Sequence, residues 1–332
     1  LSASISRRRF IRIAAGATVA HLVQPAASRA EVSRFSAWRG VVMGNLTRIE
    51  IRHPDRERGR QVLSAAAAEI ARMDSIFTLY RPESALARLN RVGRLADPPL
   101  DLLRLLAEAR GFSERTEGAF DVTVQPIWQV YAAHFFADGA DPGGPPRDAV
   151  RRAADLVDYR ALEIEPRAVQ FAKLGMALTL NGIAPGYITD RIVEILKNEG
   201  LRHALVDLGE IRTFGSRSDR EPWRAGIRDP FDSQRVAMTV PLNEQALATS
   251  GAYGFRFDRD GRFHHLFDPR NGTCPQSYAS VSIVAPTATV ADALATACQS
   301  IPLVTMASVL EAAGATRAIA TLPTGQIHRV VL

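Results

Sequence analysis

The sequence predicts an α+β fold of mixed topology, built as two packed lobes. Three observations carry this reading. Helical patterns dominate the first half of the 332-residue chain, and short strands mixed with helices dominate the second. The order of elements does not alternate strand and helix strictly, which argues against a doubly wound parallel sheet. A composition of 46% hydrophobic and 23% charged residues is that of a globular protein with ample core.

The first 30 residues read as a leader rather than as part of the fold. They carry Arg7, Arg8, Arg9, Arg12 and Arg29 and no acid. Ser6-Arg7-Arg8-Arg9-Phe10-Ile11-Arg12 precedes a mostly apolar run from Ile13 to Val23, then the small-x-small site Ser28-Arg29-Ala30. A charged head, a short apolar middle and a small-residue cut make a secretory signal, and the paired arginines resemble the twin-arginine type. That route exports folded proteins, so the expectation is a domain over 31–332 delivered to a bacterial periplasm. The leader also accounts for the charge. Of 41 Lys and Arg it holds five, leaving 36 against 35 Asp and Glu, so the +6 of the whole chain is no nucleic-acid footprint. No uncharged apolar run reaches about 18 residues, so no spanning helix is expected. Cys274 and Cys298 are too few for a disulfide framework, and no CxxC or HExxH suggests zinc.

Along the mature chain, 38–52 alternates as a strand around a Met43-Gly44 break. Residues 56–73 place Val62, Leu63, Ala66, Ile70 and Met73 on one helical face. Helices are expected over 83–90 and 100–116, and Gly118-Ala119-Phe120-Asp121 opens a turn and a short strand. Residues 138–146 (DGADPGGPP) read as a breaker-rich surface loop. Strands follow at 161–164, 168–172 and 176–180, a helix at 187–199, and strands near 203–207, 211–215, 223–228, 236–241, 263–267 and 279–285. Helices 288–299 and 304–313 precede a closing strand pair within 317–331.

Three segments carry possible chemistry. In His264-His265-Leu266-Phe267-Asp268-Pro269, adjacent histidines of a strand face opposite ways, so only one can serve a given site. On spacing alone His265 reads first as a hydrogen-bonded structural histidine. Asp292 and Thr296, four apart on a helix, share a face and offer hard oxygens suited to Mg²⁺ but too few to hold it alone. Taken alone, the pair is better explained as a helix-N-terminal aspartate with a filler threonine. Asn181-Gly182-Ile183-Ala184-Pro185-Gly186-Tyr187 sits at a strand-to-helix junction, where backbone can approach a ligand and a helix N-terminus favours phosphate.

Taken in order, these segments resemble the FAD:protein FMN transferase (ApbE) family from about residue 38 onward. Met43-Gly44 resembles its Met-Gly-Thr strand, with Asn45 for the threonine. Ser75-Ile76-Phe77-Thr78-Leu79-Tyr80 with Ser84 and Leu89-Asn90 is similar to its second motif. Gly118 to Thr123 with Pro126 matches a third. Thr249-Ser250-Gly251, His264-His265, Asp268-Pro269, Gly272 and the Asp292–Thr296 pair complete the series.

The resemblance implies FAD in a cleft between the two lobes. Met43, Tyr80, Ala119, Phe120, Asp121, Thr179, Gly186, Ser250 and Gly251 would contact it. The Ala184 carbonyl with Asp292 and Thr296 would hold Mg²⁺ against the pyrophosphate. His265 would act as base or phosphate contact while a Thr or Ser hydroxyl of a partner flavoprotein attacks the FMN-side phosphorus and AMP leaves. With a twin-arginine leader, the chain further resembles the maturation factors that accompany nitrous oxide reductase (NosX-like proteins), which implies a membrane-bound respiratory acceptor. Three positions depart from the family pattern: Thr179 replaces an aspartate, Pro185 a lysine, and Glu210 stands where a small residue is expected. These departures motivate two alternatives, a non-catalytic FAD carrier and an FAD pyrophosphatase releasing FMN and AMP.

Overall fold

The structure is a computed structural model that describes residues 35–43, 45–217 and 221–332. The leader expected over residues 1–30, like Gly44, lies outside the described residues.

The frame is an eight-stranded antiparallel sheet. Its strands are β1 (Phe35–Val42), β2 (Asn45–Arg52), β6 (Ala204–Asp207), β7 (Ile211–Phe214), β10 (Ala246–Gly251), β11 (Ser280–Ala285), β12 (Arg317–Thr321) and β13 (Ile327–Val331), side by side in that order. A three-stranded sheet of β3 (Arg94–Ala96), β5 (Ala168–Phe171) and β4 (Leu162–Glu165), and a hairpin of β8 (Trp223–Arg228) and β9 (Val236–Leu242), complete the strands. The helices are α1 (Arg56–Phe77), α2 (Ala85–Val92), α3 (Leu100–Arg115), α4 (Gln125–Phe135), α5 (Arg147–Ala154), α6 (Ala184–Asn198), α7 (Ala288–Ala297) and α8 (Leu303–Ala312).

Burial explains why the central strands read as continuous apolar runs. On β6, Ala204 and Val206 face the main core under α6, while Leu205 between them faces the β8–β9 hairpin with Trp223, Ile227 and Val240. A strand covered on both faces has no polar side to alternate with. A third cluster lies apart from the sheet. Ile127 and Tyr131 of α4 pack on Phe267, with the Tyr131 and Phe267 rings 4.9 Å apart and Phe257 and Phe263 beside them. The molecule is thus mixed α+β, with a sheet lobe and a smaller aromatic lobe. Among the described residues no helix is long and apolar enough to cross a membrane.

Several elements differ from the sequence expectation, each for a local reason. The strand expected over 38–52 is a hairpin: Val42 pairs with Asn45, and Met43 takes φ 46° in the turn. Residues 176–180 form no strand, because Asn90 reaches across from α2 and satisfies Leu178. Its amide donates to the Leu178 carbonyl at 2.8 Å and accepts from the Leu178 N–H at 2.7 Å. Residues 263–267 keep only an isolated bridge, Arg256 to His264. The turn-and-strand expected after Gly118 is instead a 3₁₀ turn at Val122–Val124 running into α4, with Pro126 in its first turn where a missing N–H is harmless. Helices α4 and α5 and strand β10 were not anticipated by the pattern.

Candidate active site

The site is built around the crossing of α6 and α7. Residue 186 is glycine because nothing larger fits: a Cβ there would stand 2.5 Å from the Ala288 carbonyl oxygen and 2.9 Å from Asp292 Cβ. At this close approach the two helices cap each other. Asp292 on α7 accepts the Gly186 N–H at 3.0 Å. Asp190 on α6 accepts the N–H groups of Ala288 (2.8 Å) and Thr289 (2.9 Å) and the Thr289 hydroxyl (2.6 Å), and is itself paired with Arg212 at 2.5 Å. Each cap satisfies donors that a helix start leaves free.

This arrangement corrects one expectation. The start of α6 offers no free amide to a phosphate. Ala184 N–H bonds Leu180 O at 2.8 Å, Pro185 has no N–H, Gly186 N–H is held by Asp292, and Tyr187 N–H bonds Ile183 O at 3.0 Å. The negative group at this helix end is Asp292 itself.

Asp292 and Thr296 form part of the wall of a cavity of about 570 Å³ between the lobes, a size suited to a ligand. Met43, Tyr80, Ala119, Phe120, Asp121, Thr179, Ser250, Gly251 and His265 line the same space. Ala184, fully buried, and Gly186 lie behind the wall rather than on it. The cavity also gathers Trp128 of α4 and Tyr253, which motif reading did not place there, and Glu210, which it singled out as a departure from the family pattern. Trp128 could have been found, since Pro126 marks the helix start and Ile127 and Tyr131 its buried face.

Several motif residues are occupied in holding the wall. Ser84 caps α2 through the Ala87 N–H (3.0 Å) and donates to Thr78 O (2.6 Å), which sets the path of Leu79 and Tyr80. Met43 N–H donates to Asp74 at 3.2 Å, pinning the left-handed turn. Asp121 accepts from the Thr123 N–H and hydroxyl at 2.8 and 2.7 Å and from the Tyr159 N–H at 3.0 Å, so both its oxygens serve the chain. Asp268 is gripped by Arg270 at 2.7 and 2.8 Å, closing the turn that ends at Gly272.

The histidines divide as their opposite directions require, though outside any strand. His264 is buried, accepts the Leu266 N–H at Nδ1 and meets Pro275 O at 2.9 Å through Nε2. His265 lies against the Phe255 backbone, 3.2 Å from its N–H and 3.1 Å from its carbonyl, and borders the cavity. Gly254 leaves room for its ring, since a Cβ would meet Cε1 at 2.9 Å. Burial pushes the His265 imidazole down to about 4, partly opposed by its bond to Phe255. An ordinary imidazole would suit a base near neutral pH, and this ring does not keep that value in the fold. At neutral pH the ring is uncharged and keeps one lone pair.

The carboxylates shift the other way. Burial pushes Asp292 up to about 7, against its bond from Gly186, and Asp207 likewise to about 7. Glu210 is raised by burial and by Asp292 and Asp207. Among the cavity-lining residues, Arg91 is the one Lys or Arg, and its guanidinium donates to Pro82 O at 2.9 Å. Raised, mutually repelling carboxylates with hydroxyls beside them, Thr296 and Ser250 being 3.3 Å apart, form a donor set that fits a hard divalent cation. No cluster of three His, Cys, Asp or Glu side chains shaped for a metal occurs among the described residues, so Mg²⁺ would need further oxygens from substrate or water.

A profile of the ApbE family matches residues 43–320. The FAD:protein FMN transferase of Treponema pallidum (strain Nichols) is 35% identical over 295 residues, 81% of this chain and 79% of its own. That of Salmonella typhimurium is 28% identical over 264 residues, 76% and 75% of the two chains. Among solved structures, the ApbE protein of Thermotoga maritima superposes with a TM-score of 0.79 at 27% identity, covering 89% of this chain and 96% of that one. The sheet, the α6–α7 crossing and the cavity beside it are therefore those of a chain that belongs to the ApbE family.

Proposed function

We propose that this chain is an FAD:protein FMN transferase that works in the periplasm on a membrane-bound flavoprotein. The observation that carries the reading is the placement of Asp292, Thr296 and His265 on the wall of one cavity between the lobes. Asp292 and Thr296, backed by the Ala184 carbonyl, would hold Mg²⁺, which when bound neutralises pyrophosphate charge. Tyr80, Trp128 and Tyr253 offer aromatic surface to the ring systems of FAD. A Thr or Ser hydroxyl of the acceptor attacks the FMN-side phosphorus, the bond to the bridging oxygen breaks, and AMP departs. The hydroxyl proton must be taken up, and the uncharged His265 is a hydrogen-bond acceptor placed for it. Its low basicity makes orientation of the hydroxyl its larger contribution.

Export by the twin-arginine route is supported by residues 6–12 and the short apolar run behind them. An acceptor in a membrane-bound respiratory complex, including one serving nitrous oxide reduction, suits a periplasmic flavinylating enzyme.

The test is one assay. Full-length chain, FAD, Mg²⁺ and an acceptor fragment are combined, with acceptor mass and free AMP followed together. An acceptor heavier by one FMN with matching AMP is expected. Free FMN with AMP would replace transfer by hydrolysis, and bound but intact FAD beside a validated acceptor would replace it by a carrier role. Retention in the cytoplasm of a chain carrying Arg7→Lys and Arg8→Lys tests the export route.

A further inference from the structure

We infer that Glu210 is a second carboxylate ligand to the divalent cation of this site, so that the chain binds the cation before FAD arrives. The inference rests on the reading that Asp292 and Thr296 hold that cation, and adds a residue at a position where the resemblance implied a small side chain.

Glu210 sits in the tight turn between β6 and β7, between the paired residues Asp207 and Ile211. The turn places it on the cavity wall with Thr249, Ser250, Asp292 and Thr296, although 82 residues of sequence separate it from Asp292. Its carboxylate takes a hydrogen bond from the Thr249 backbone N–H. The other oxygen, Oε2, is out of contact with solvent and has no hydrogen-bond partner among the described residues. A buried acceptor without a partner is costly, and more so when charged.

When Glu210 is ionised, the charges around it disfavour an anion as the missing partner. Asp292 and Asp207 both act on Glu210 as like charges. Asp207 has Arg48 to offset it. A pyrophosphate oxygen brought to Oε2 would add repulsion. A hard cation between Glu210 and Asp292 would satisfy the orphaned oxygen and cancel the repulsion together. The alternative, a carboxyl that simply stays protonated, needs no cation and makes the opposite prediction.

The test titrates Mn²⁺ into the full chain without FAD, with free Mn²⁺ followed by its electron paramagnetic resonance signal. Thermal unfolding is measured in parallel with chelator and with Mg²⁺. The wild-type chain is expected to bind one Mn²⁺. Glu210→Gln and Glu210→Ala are expected to weaken binding by about tenfold or more. Both should also melt higher than wild type in chelator, since a repelling charge is gone, and should lose most of the rise that Mg²⁺ gives the wild type. Using both variants keeps the result readable if one fails to fold. Wild-type Mn²⁺ affinity, within about twofold, in the Glu210 variants while Asp292→Asn loses binding would overturn this inference alone. Unchanged binding in Asp292→Asn as well would overturn the cation reading beneath it.

Discussion

Gly186→Ala is the perturbation that bears most directly on the helix crossing. The added Cβ would stand 2.5 Å from the Ala288 carbonyl oxygen, 2.7 Å from its carbon and 2.9 Å from Asp292 Cβ. Two of those three atoms are backbone, so no rotamer change relieves them. The helices must separate. Overpacking of this kind costs about 1–3 kcal/mol, and loosening the Gly186 N–H bond to a carboxylate costs about 1.5–3 kcal/mol more at most. A net loss of about 3 kcal/mol corresponds to roughly 5 °C in Tm for a domain of about 300 residues. Because the displaced atoms include those of Asp292, Mn²⁺ binding should weaken along with stability. Gly111→Ala on α3 is the control. Its Cβ would meet only the mobile end of Arg115, at 3.3 Å, so the change should stabilise by about 0.5–1 kcal/mol. Circular dichroism melts and Mn²⁺ titrations of both variants decide the matter. A Gly186→Ala chain that melts within about 1 °C of wild type, with its cation affinity intact, would refute the claim that this contact seats Asp292.

Asn90→Ala should cost about 2–4 kcal/mol, because it leaves the N–H and C=O of buried Leu178 without partners. Denaturant melts check the stability loss, and flavin fluorescence should show weaker FAD binding as Thr179 loses its support. Asp207→Asn tests the raised carboxylates through pH. With its folded value near 7, Asp207 keeps a proton that the unfolded chain releases near 4, so the folded state binds more protons between those values and stability falls as pH rises through that window. The asparagine variant should therefore out-melt the wild type at pH 8 in chelator and match it at pH 4. Equal Tm differences at both values would contradict the sign.

How much was legible in the sequence varied with the kind of force that shaped each element. Helices α1, α3, α6 and α7 follow from local periodicity, because one apolar face meets one core. The closing β12–β13 pair and the β6–β7 hairpin are local too. What escaped depended on distant partners. The stretch 176–180 has the alternation of a strand, but its hydrogen bonds go to Asn90 on α2 instead of a neighbouring strand. Residues 263–267 look like a strand in sequence, yet Phe267, with Phe263 beside it, packs into an aromatic lobe instead of a sheet. The site divides in the same manner. The α7 pair of Asp292 and Thr296 was readable from i, i+4 spacing. Glu210 was readable only as a departure from a pattern, since the turn that points it toward Asp292 is made by β6–β7 pairing. The shift at His265 was not readable at all, because it comes from burial.

The charge balance of the wall links the start of α6 to the carboxyls around Asp292. In the related pattern a lysine stands at position 185, where this chain has proline. The start of α6 has no spare amide to replace it, since Asp292 takes the Gly186 N–H. Among the lining side chains, Asp121, Glu210 and Asp292 are acidic and Arg91 basic. Burial raises all three carboxyls, so an FAD pyrophosphate approaching α7 meets groups that gain charge only as they lose their protons, and Arg91 is the one basic side chain on the wall. On the proposed reading the missing positive charge is recruited as Mg²⁺. Binding of FAD and binding of the cation then become one coupled equilibrium, and linkage requires each to tighten the other by the same factor. A lysine supplies its charge whatever the metal concentration, whereas on that reading proline with an added glutamate would make flavin capture conditional on the cation. On the proposed reading, the substitutions that look like decay when taken singly amount together to a shift of the site's positive charge from protein to metal.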